Sequence, residues 1–275
     1  MERRDFLKSA SAAAALLAAQ GYLPLLAAPD KKRKRRRVKD IGGSPNCYTE
    51  PCAIEPISGY IARFEPVRIG AMNEAFAATY TLISHNGAGK VSRNAAKGSL
   101  TVRFADKECN TTESRTNKPA TLVTSLIQCK GPFNMASDWT LQSFVRGEKN
   151  LSFTEKGSWD GEVMKVWSRF WKQERATGNP LIARWALLPL LAAGKIKAKP
   201  LKFDMLDDST LRANQTLAYA GVIDVPVKGG KVKLDSYLQT GESIVPTHYL
   251  ADSDGRVQLI TMGTVNWALT ELEEA

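Results

Sequence analysis

The side chains best suited to catalysis lie near the C-terminus. His248 stands a few residues before Asp252, Ser253 and Asp254, so the three side-chain types of a hydrolase triad occur within one short segment. Triad members usually come from distant segments, and the pattern is more typical of a strand-end histidine beside a turn. The other histidine, His85, lies far away in the chain. A hydrolase that uses His248 or His85 is therefore the alternative hypothesis, and a non-enzymatic protein is favoured.

Motifs for metals and cofactors are incomplete. Asp252-Ser253-Asp254-Gly255 resembles the start of a calcium loop, but the later Asp/Asn and the distant Glu of that loop are missing. Cys47 and Cys52 are separated by four residues, which is wider than the usual zinc spacing. The chain also lacks a glycine-rich phosphate loop and a glycine-x-serine-x-glycine elbow. The sequence therefore predicts neither a metal nor a cofactor.

The four cysteines are Cys47, Cys52, Cys109 and Cys129. An even number of cysteines predicts disulfides if the chain reaches an oxidising compartment, and four cysteines allow three pairings. The local pairing, Cys47 with Cys52 and Cys109 with Cys129, needs the least chain closure and is the favoured one.

Large aromatic side chains are the remaining candidates for binding. They could line a pocket for an apolar ligand, or they could simply cover a sheet as core. The predicted ligand-binding residues are Trp139, Trp167, Phe170, Trp171 and Trp185.

Short alternating segments predict strands over most of the chain. The clearest is Ser99 to Ala105, where Leu100, Val102 and Phe104 share one face. Two segments depart from this pattern. Val163, Val166, Trp167, Phe170 and Trp171 have helical spacing, and Leu181 to Ala193 is nearly all apolar.

We therefore expect a mainly β protein with one domain over residues 59–275. Turn dipeptides between short strands favour antiparallel meander connections. A helical insert over about 161–193 would place two helices on one face of the sheet.

The net charge of +10 is concentrated before that domain. Residues 1–28 contribute +1 and residues 30–40 contribute +6, which leaves only +3 for the rest. A body so close to neutral lacks the basic face of a nucleic-acid-binding protein. The basic run Lys31 to Lys39 lies in a segment, 29–58, that we interpret as a tail and a Cys/Pro/Gly-rich linker. The tail is either solvated or bound to a lipid or another anionic envelope surface.

The first 28 residues resemble a twin-arginine signal peptide. Arg3, Arg4, Phe6, Leu7 and Lys8 carry the resemblance, and an alanine-rich apolar segment follows them. The resemblance implies export of the folded protein by the twin-arginine machinery to the periplasm or cell envelope. Cleavage after residue 27 or 28 and an uncleaved, tethered form both remain open.

A second resemblance covers about residues 181–272. The features that carry it are, in order, an apolar segment that ends at Gly194, Lys202 to Asp208, a Gly-Gly hairpin, Pro246 to Asp252, and Asp254 to Val257. This order is similar to that of uncharacterised periplasmic half-barrel proteins. Those proteins are similar in shape to bacterial lipoprotein carriers, whose concave face holds acyl chains. The resemblance implies a curved antiparallel meander sheet or half-barrel with about two helices on its concave face. It also implies non-catalytic binding of a lipid-like ligand or an envelope partner. A structural envelope component held by its basic tail is a further alternative.

Overall fold

The computed structural model describes residues 53–72, 75–84, 97–116, 120–148, 151–263 and 265–274. The predicted export signal, the basic run, Cys47, Cys52 and His85 lie outside these ranges. The described strands are β1 Phe76–Ser84, β2 Gly98–Ala105, β3 Glu108–Arg115, β4 Thr121–Lys130, β5 Met135–Val145, β6 Phe153–Trp159, β7 Val163–Ser168, β8 Lys172–Ala176, β9 Leu181–Ala183, β10 Leu201–Asp207, β11 Thr210–Val227, β12 Gly230–Thr240, β13 Thr247–Ala251, β14 Val257–Met262 and β15 Val265–Glu273. A 3-10 helix at Glu55–Ile57 precedes α1, Ser58–Ile61, and a 3-10 helix at Arg184–Leu187 precedes α2, Leu188–Ala192.

Twelve of these strands close into a barrel. Neighbours pair in the order β4-β3-β2-β1-β15-β14-β13-β12-β11-β10-β9-β5, and β5 pairs back with β4. The shortest strand pairing in the barrel is between β9 and β5, where Met135 pairs with Ile182. The predicted mainly antiparallel β class is confirmed. The half-barrel is corrected to a barrel, because β9 pairs in parallel with β10 and so fills the gap beside β5.

Strands β6, β7 and β8 extend from the barrel as two hairpins on the side of β5. Residues 138–143 of β5 pair with β6, and β8 pairs only with β7. The helix predicted over residues 163–171 is wrong. Met164 and Val166 are buried on one face, whereas Trp167 lies on the other face, which is the alternation of a strand. The helical spacing arose because Phe170 and Trp171 follow in the β7–β8 turn.

A short helical segment lies in the barrel core. Trp185, Leu187, Leu190 and Leu191 are buried there, and α2 contacts β14 while the preceding 3-10 helix contacts β3 and β10. The predicted helix over residues 181–193 is therefore shorter than expected and begins as strand β9. Two helices were predicted on the concave face, and this one short segment takes their place. Large strand side chains fill the rest of the core, including Tyr80, Phe203, Tyr237, Tyr249 and Trp267.

A second apolar cluster covers part of the outer wall. Residues Ala53 to Phe64, here called the lead-in segment, pack Ile57, Ile61 and Phe64 against outward side chains of β11 to β15. The hydroxyl of Thr261 donates to the carbonyl of Ala53 at 2.8 Å and ties this segment to β14. Within the described ranges, no helix has both the length and the apolar character needed to cross a bilayer.

Candidate functional site

The five predicted ligand-binding aromatic residues fall into two groups. Trp139 and Trp185 are buried in the core. Trp167, Phe170 and Trp171 lie together at the β7–β8 hairpin, with exposed fractions of 38%, 77% and 40%. The structure therefore brings three of the five together, on the outside of the sheet rather than on a concave face. We call Trp167 to Lys172 the aromatic hairpin.

Hydrogen bonds hold the tip of the aromatic hairpin in a defined turn. The backbone N–H of Ser168 donates to the carbonyl of Trp171 at 2.9 Å, and that of Phe170 donates to the Ser168 hydroxyl at 3.2 Å. The guanidinium of Arg169 lies 5.5 Å from the centre of the Phe170 ring. Lys172, directly opposite Trp167, forms an exposed ion pair with Glu174 at 2.9 Å. The tip thus presents apolar rings between two cations.

A hollow of about 200 Å³ lies on the same outer face, beside Trp167. The strand register places four residues in one cross-strand row over β4 to β7, each opposite the next: Leu126, Thr140, Lys156 and Trp167. Such cross-strand neighbours have side chains about 5 Å apart. The outer hollow is lined by Leu126, Gln128, Asp138, Trp139, Thr140, Lys156, Gly157 and Trp167.

Three polar side chains of the outer hollow are free to bind a ligand. Among the described residues, Asp138, Thr140 and Lys156 form no side-chain hydrogen bond or ion pair. The fourth, Gln128, donates its amide to Glu108 at 2.7 Å. The hollow therefore combines a carboxylate, a hydroxyl and an ammonium group with the exposed face of an indole.

Gly157 is part of the lining of the outer hollow, and its missing side chain faces the core. It faces Trp139 across β5 and β6, and a Cβ at Gly157 would lie 2.1 Å from the Trp139 ring. The missing side chain leaves room for the Trp139 indole, which is buried in the core. The indole N–H of Trp139 is buried without a hydrogen-bond partner.

The predicted hydrolase histidine is not part of a catalytic group. His248 is 4% exposed, and burial lowers its pKa from the usual value. Its hydrogen-bonding neighbour is the hydroxyl of Ser236, 3.4 Å from Nδ1, and its cross-strand partner is Thr261 beneath the lead-in segment. This environment is that of a packed, neutral imidazole.

Asp252 and Ser253 belong to a separate, internally bonded turn. The Asp252 carboxylate accepts hydrogen bonds from the backbone N–H groups of Asp254 and Arg256, both at 3.0 Å. It also accepts from Arg256 Nε at 2.7 Å, and the same guanidinium donates to the carbonyls of Arg68 and Gly70. The turn therefore holds residues 68–70 in place, and the three members of the hypothetical triad do not converge.

The predicted Cys109–Cys129 disulfide is absent from the structure, where both residues are buried free thiols. Cys109 faces Ile127 rather than Cys129, so the two cysteines are diagonal neighbours. Burial raises the pKa of both thiols, that of Cys129 to about 12. In the part of the chain that the structure describes, no group of three or more His, Cys, Asp or Glu side chains could hold a metal ion.

A buried ionic group joins β10, β11 and the 3-10 helix at Arg184–Leu187. The carboxylate of Asp207 contacts Arg184 at 2.9 Å and Arg212 at 3.3 Å, with all three side chains at most 15% exposed. Because two guanidinium groups share the carboxylate, its buried negative charge is neutralised. We therefore interpret the cluster as a structural ion-pair network.

The sequence analysis did not identify the polar residues that line the outer hollow. Asp138, Thr140 and Lys156 alternate with buried neighbours along β5 and β6, which is the available signal for outward-facing positions. The mistaken helix over residues 163–171 separated Trp167 from Thr140 and Lys156, so the four cross-strand neighbours could not be recognised as one surface.

Comparisons with known proteins support the fold and nothing finer. No family model matches the chain. No curated protein matches it either. A solved structure from Brucella abortus, described as a beta-barrel-like protein of domain of unknown function DUF1849, aligns with a TM-score of 0.51 at 13% identity. The alignment covers 74% of this chain and 98% of that one. The chain is thus similar in fold to a barrel-like protein.

Proposed function

We propose that this chain is a non-catalytic binding protein of the bacterial cell envelope, which attaches to an anionic membrane surface through the aromatic hairpin. The observation that carries the proposal is the exposure of Phe170, 77%, at the tip of a hydrogen-bonded turn with Trp167 and Trp171 beside it. Aromatic rings at a protruding tip, with Arg169 and Lys172 next to them, fit the interface between lipid headgroups and acyl chains.

The export signal at Arg3 and Arg4 and the basic run Lys31 to Lys39 agree with this location. Twin-arginine export would deliver the barrel already folded, and cations near an anionic surface add about 1 kcal/mol each. The hairpin cations would contribute in the same way, since the Lys172–Glu174 pair is exposed and weak.

An outer surface is favoured over the concavity as the place of binding. The side chains of residues 184–192 occupy the core that a half-barrel would leave open for an acyl chain. The hydrolase alternative is not favoured, because His248 is buried away from Asp252 and Ser253.

Co-sedimentation with vesicles tests the proposal. The full chain is mixed with phosphatidylcholine vesicles that either contain or lack phosphatidylglycerol. Phe170→Ser should weaken binding to the anionic vesicles at least about tenfold, because burial of a phenylalanine ring contributes roughly 1.5–3 kcal/mol. Ile69→Ser is the matched control, since Ile69 is 82% exposed on another part of the surface. Equal binding of wild type and Phe170→Ser would refute attachment through the hairpin.

A further inference from the structure

The outer hollow has polar groups that membrane attachment does not use. Its indole and its three unpartnered polar groups, on Asp138, Thr140 and Lys156, face the same space of about 200 Å³. Acyl chains would leave a carboxylate and an ammonium group without hydrogen bonds, at a cost in free energy. The natural occupant of such a site is a molecule with one apolar face and a rim of hydrogen-bonding groups.

From this geometry we propose that the outer hollow is a sugar-binding subsite, which takes one pyranose ring stacked on the exposed face of Trp167. The C–H groups of a pyranose form a weakly polarised apolar face that packs on an aromatic ring. Its hydroxyl groups point outwards around the edge of the ring, and each can both donate and accept a hydrogen bond.

The polar side chains are of the types that a sugar rim requires. Asp138 offers an acceptor and Lys156 a donor, while Thr140, between Leu126 and Lys156 in the row, offers both. This combination also matches an acetamido substituent, which carries one N–H donor and one carbonyl acceptor. The ligand class is therefore a neutral sugar, and an N-acetylated hexose in particular.

The volume of the outer hollow indicates how much of a sugar ligand it can hold. Pockets for drug-sized ligands measure roughly 300–1,000 Å³, so this hollow suits one ring of a longer molecule. Leu126 and Trp167 are each 38% exposed, which leaves room for the chain to continue along the sheet. Such a ring could belong either to a soluble glycan or to the headgroup of a glycolipid, and the experiment below separates these sources.

The test uses the full chain with chitotetraose, a soluble oligosaccharide of N-acetylglucosamine, and measures saturation-transfer NMR. Wild type should show saturable binding with a Kd in the millimolar range or below. Trp167→Ala should weaken it at least about tenfold, and Trp167→Phe should retain most of it because an aromatic face remains. Trp171→Ala is the matched control, since Trp171 is 40% exposed but lies outside the hollow.

A second arm uses phosphatidylcholine vesicles with and without a glycosyl diacylglycerol. Binding that requires the glycolipid and is weakened by Trp167→Ala assigns the subsite to a headgroup, whereas chitotetraose binding assigns it to a free glycan. The absence of both, or equal losses in Trp167→Ala and Trp171→Ala, would overturn the proposal. The Phe170→Ser variant keeps the hollow intact, so the failure of membrane attachment and the failure of sugar binding are separate results.

Discussion

Two parts of the same sheet carry outward apolar side chains, which are covered in one part and exposed in the other. On β11 to β15, Leu250 and Leu259 are buried beneath the lead-in segment. On β4 to β7, Leu122, Leu126, Phe144 and Trp167 stay between 38% and 44% exposed. We call these regions the covered sector and the open sector. An exposed apolar group of this kind, next to polar residues, commonly marks an interaction surface.

The difference shows how a barrel can separate stability from binding. The lead-in segment adds buried area where it packs, and its removal would expose a second core cluster. The open sector contributes little burial on its outer face, so its side chains can be chosen for what they bind. The comparison makes a graded set of predictions, from the largest effect on stability to the smallest.

The largest expected effect is in the covered sector. Leu259→Ala should lower the free energy of unfolding by about 2–5 kcal/mol, because Leu259 is fully buried and its removal leaves a cavity. Leu126→Ala, in the open sector, should change it by no more than roughly 1 kcal/mol. Urea denaturation of both variants measures the difference. Similar losses for the two would remove the distinction between the sectors.

Gly157 should be the most sensitive position in the open sector. Gly157→Ala places a methyl group 2.1 Å from the Trp139 ring, so we expect a loss of about 1–3 kcal/mol or more. Gly178→Ala is the control, because a Cβ there meets open space. Thermal unfolding of the pair gives the result, and an unchanged melting temperature for Gly157→Ala would show that the Trp139 ring is free to move.

His248 should make the covered sector sensitive to acid. Burial lowers its folded-state pKa, so below about pH 6.5 the unfolded chain binds a proton that the folded protein does not. Stability should therefore fall as the pH drops from 7 towards 5, by up to about 1.4 kcal/mol per pH unit from this residue. His248→Gln removes that contribution while the carboxylates titrate as before. Parallel pH profiles of wild type and variant would contradict the assignment.

The smallest effect on stability should accompany the largest effect on binding. Phe170→Ser changes a side chain that is 77% exposed, so the free energy of unfolding should stay within about 0.5 kcal/mol of wild type. Urea denaturation of the variant used for vesicle sedimentation checks this. A loss of several kcal/mol would mean that the aromatic hairpin is part of the core.

The sequence predicted individual strands well and their assembly less well. Alternation at Leu100, Val102 and Phe104 located β2, because one face of that strand is buried and the other is not. The closure between β5 and β9 depends on a parallel pair and one distant contact, for which a local pattern gives no signal. The diagonal position of Cys109 and Cys129 likewise depends on the β3–β4 register.

The candidate site was predicted in part, and for a physical reason. Trp167, Phe170 and Trp171 were predicted to bind a ligand, and this stays a prediction. Their spacing fits a helix as well as it fits a strand followed by a turn. Only the tertiary pairing of Trp167 with Lys156 reveals its polar neighbours. Trp139 and Trp185 could not be separated from the exposed group by composition, since large aromatics serve both cores and surfaces.

Amide hydrogen exchange with and without phosphatidylglycerol-containing vesicles tests the central claim most directly. We predict that vesicles slow exchange at the aromatic hairpin, residues 167–172, and leave β11 to β15 unchanged, because the large exposed rings lie at the hairpin whereas Leu250 and Leu259 are buried beneath the lead-in segment. The same protection should be lost in Phe170→Ser and kept in Ile69→Ser. Protection of the covered sector, or unchanged exchange at the hairpin while the protein remains vesicle-bound, would contradict the account.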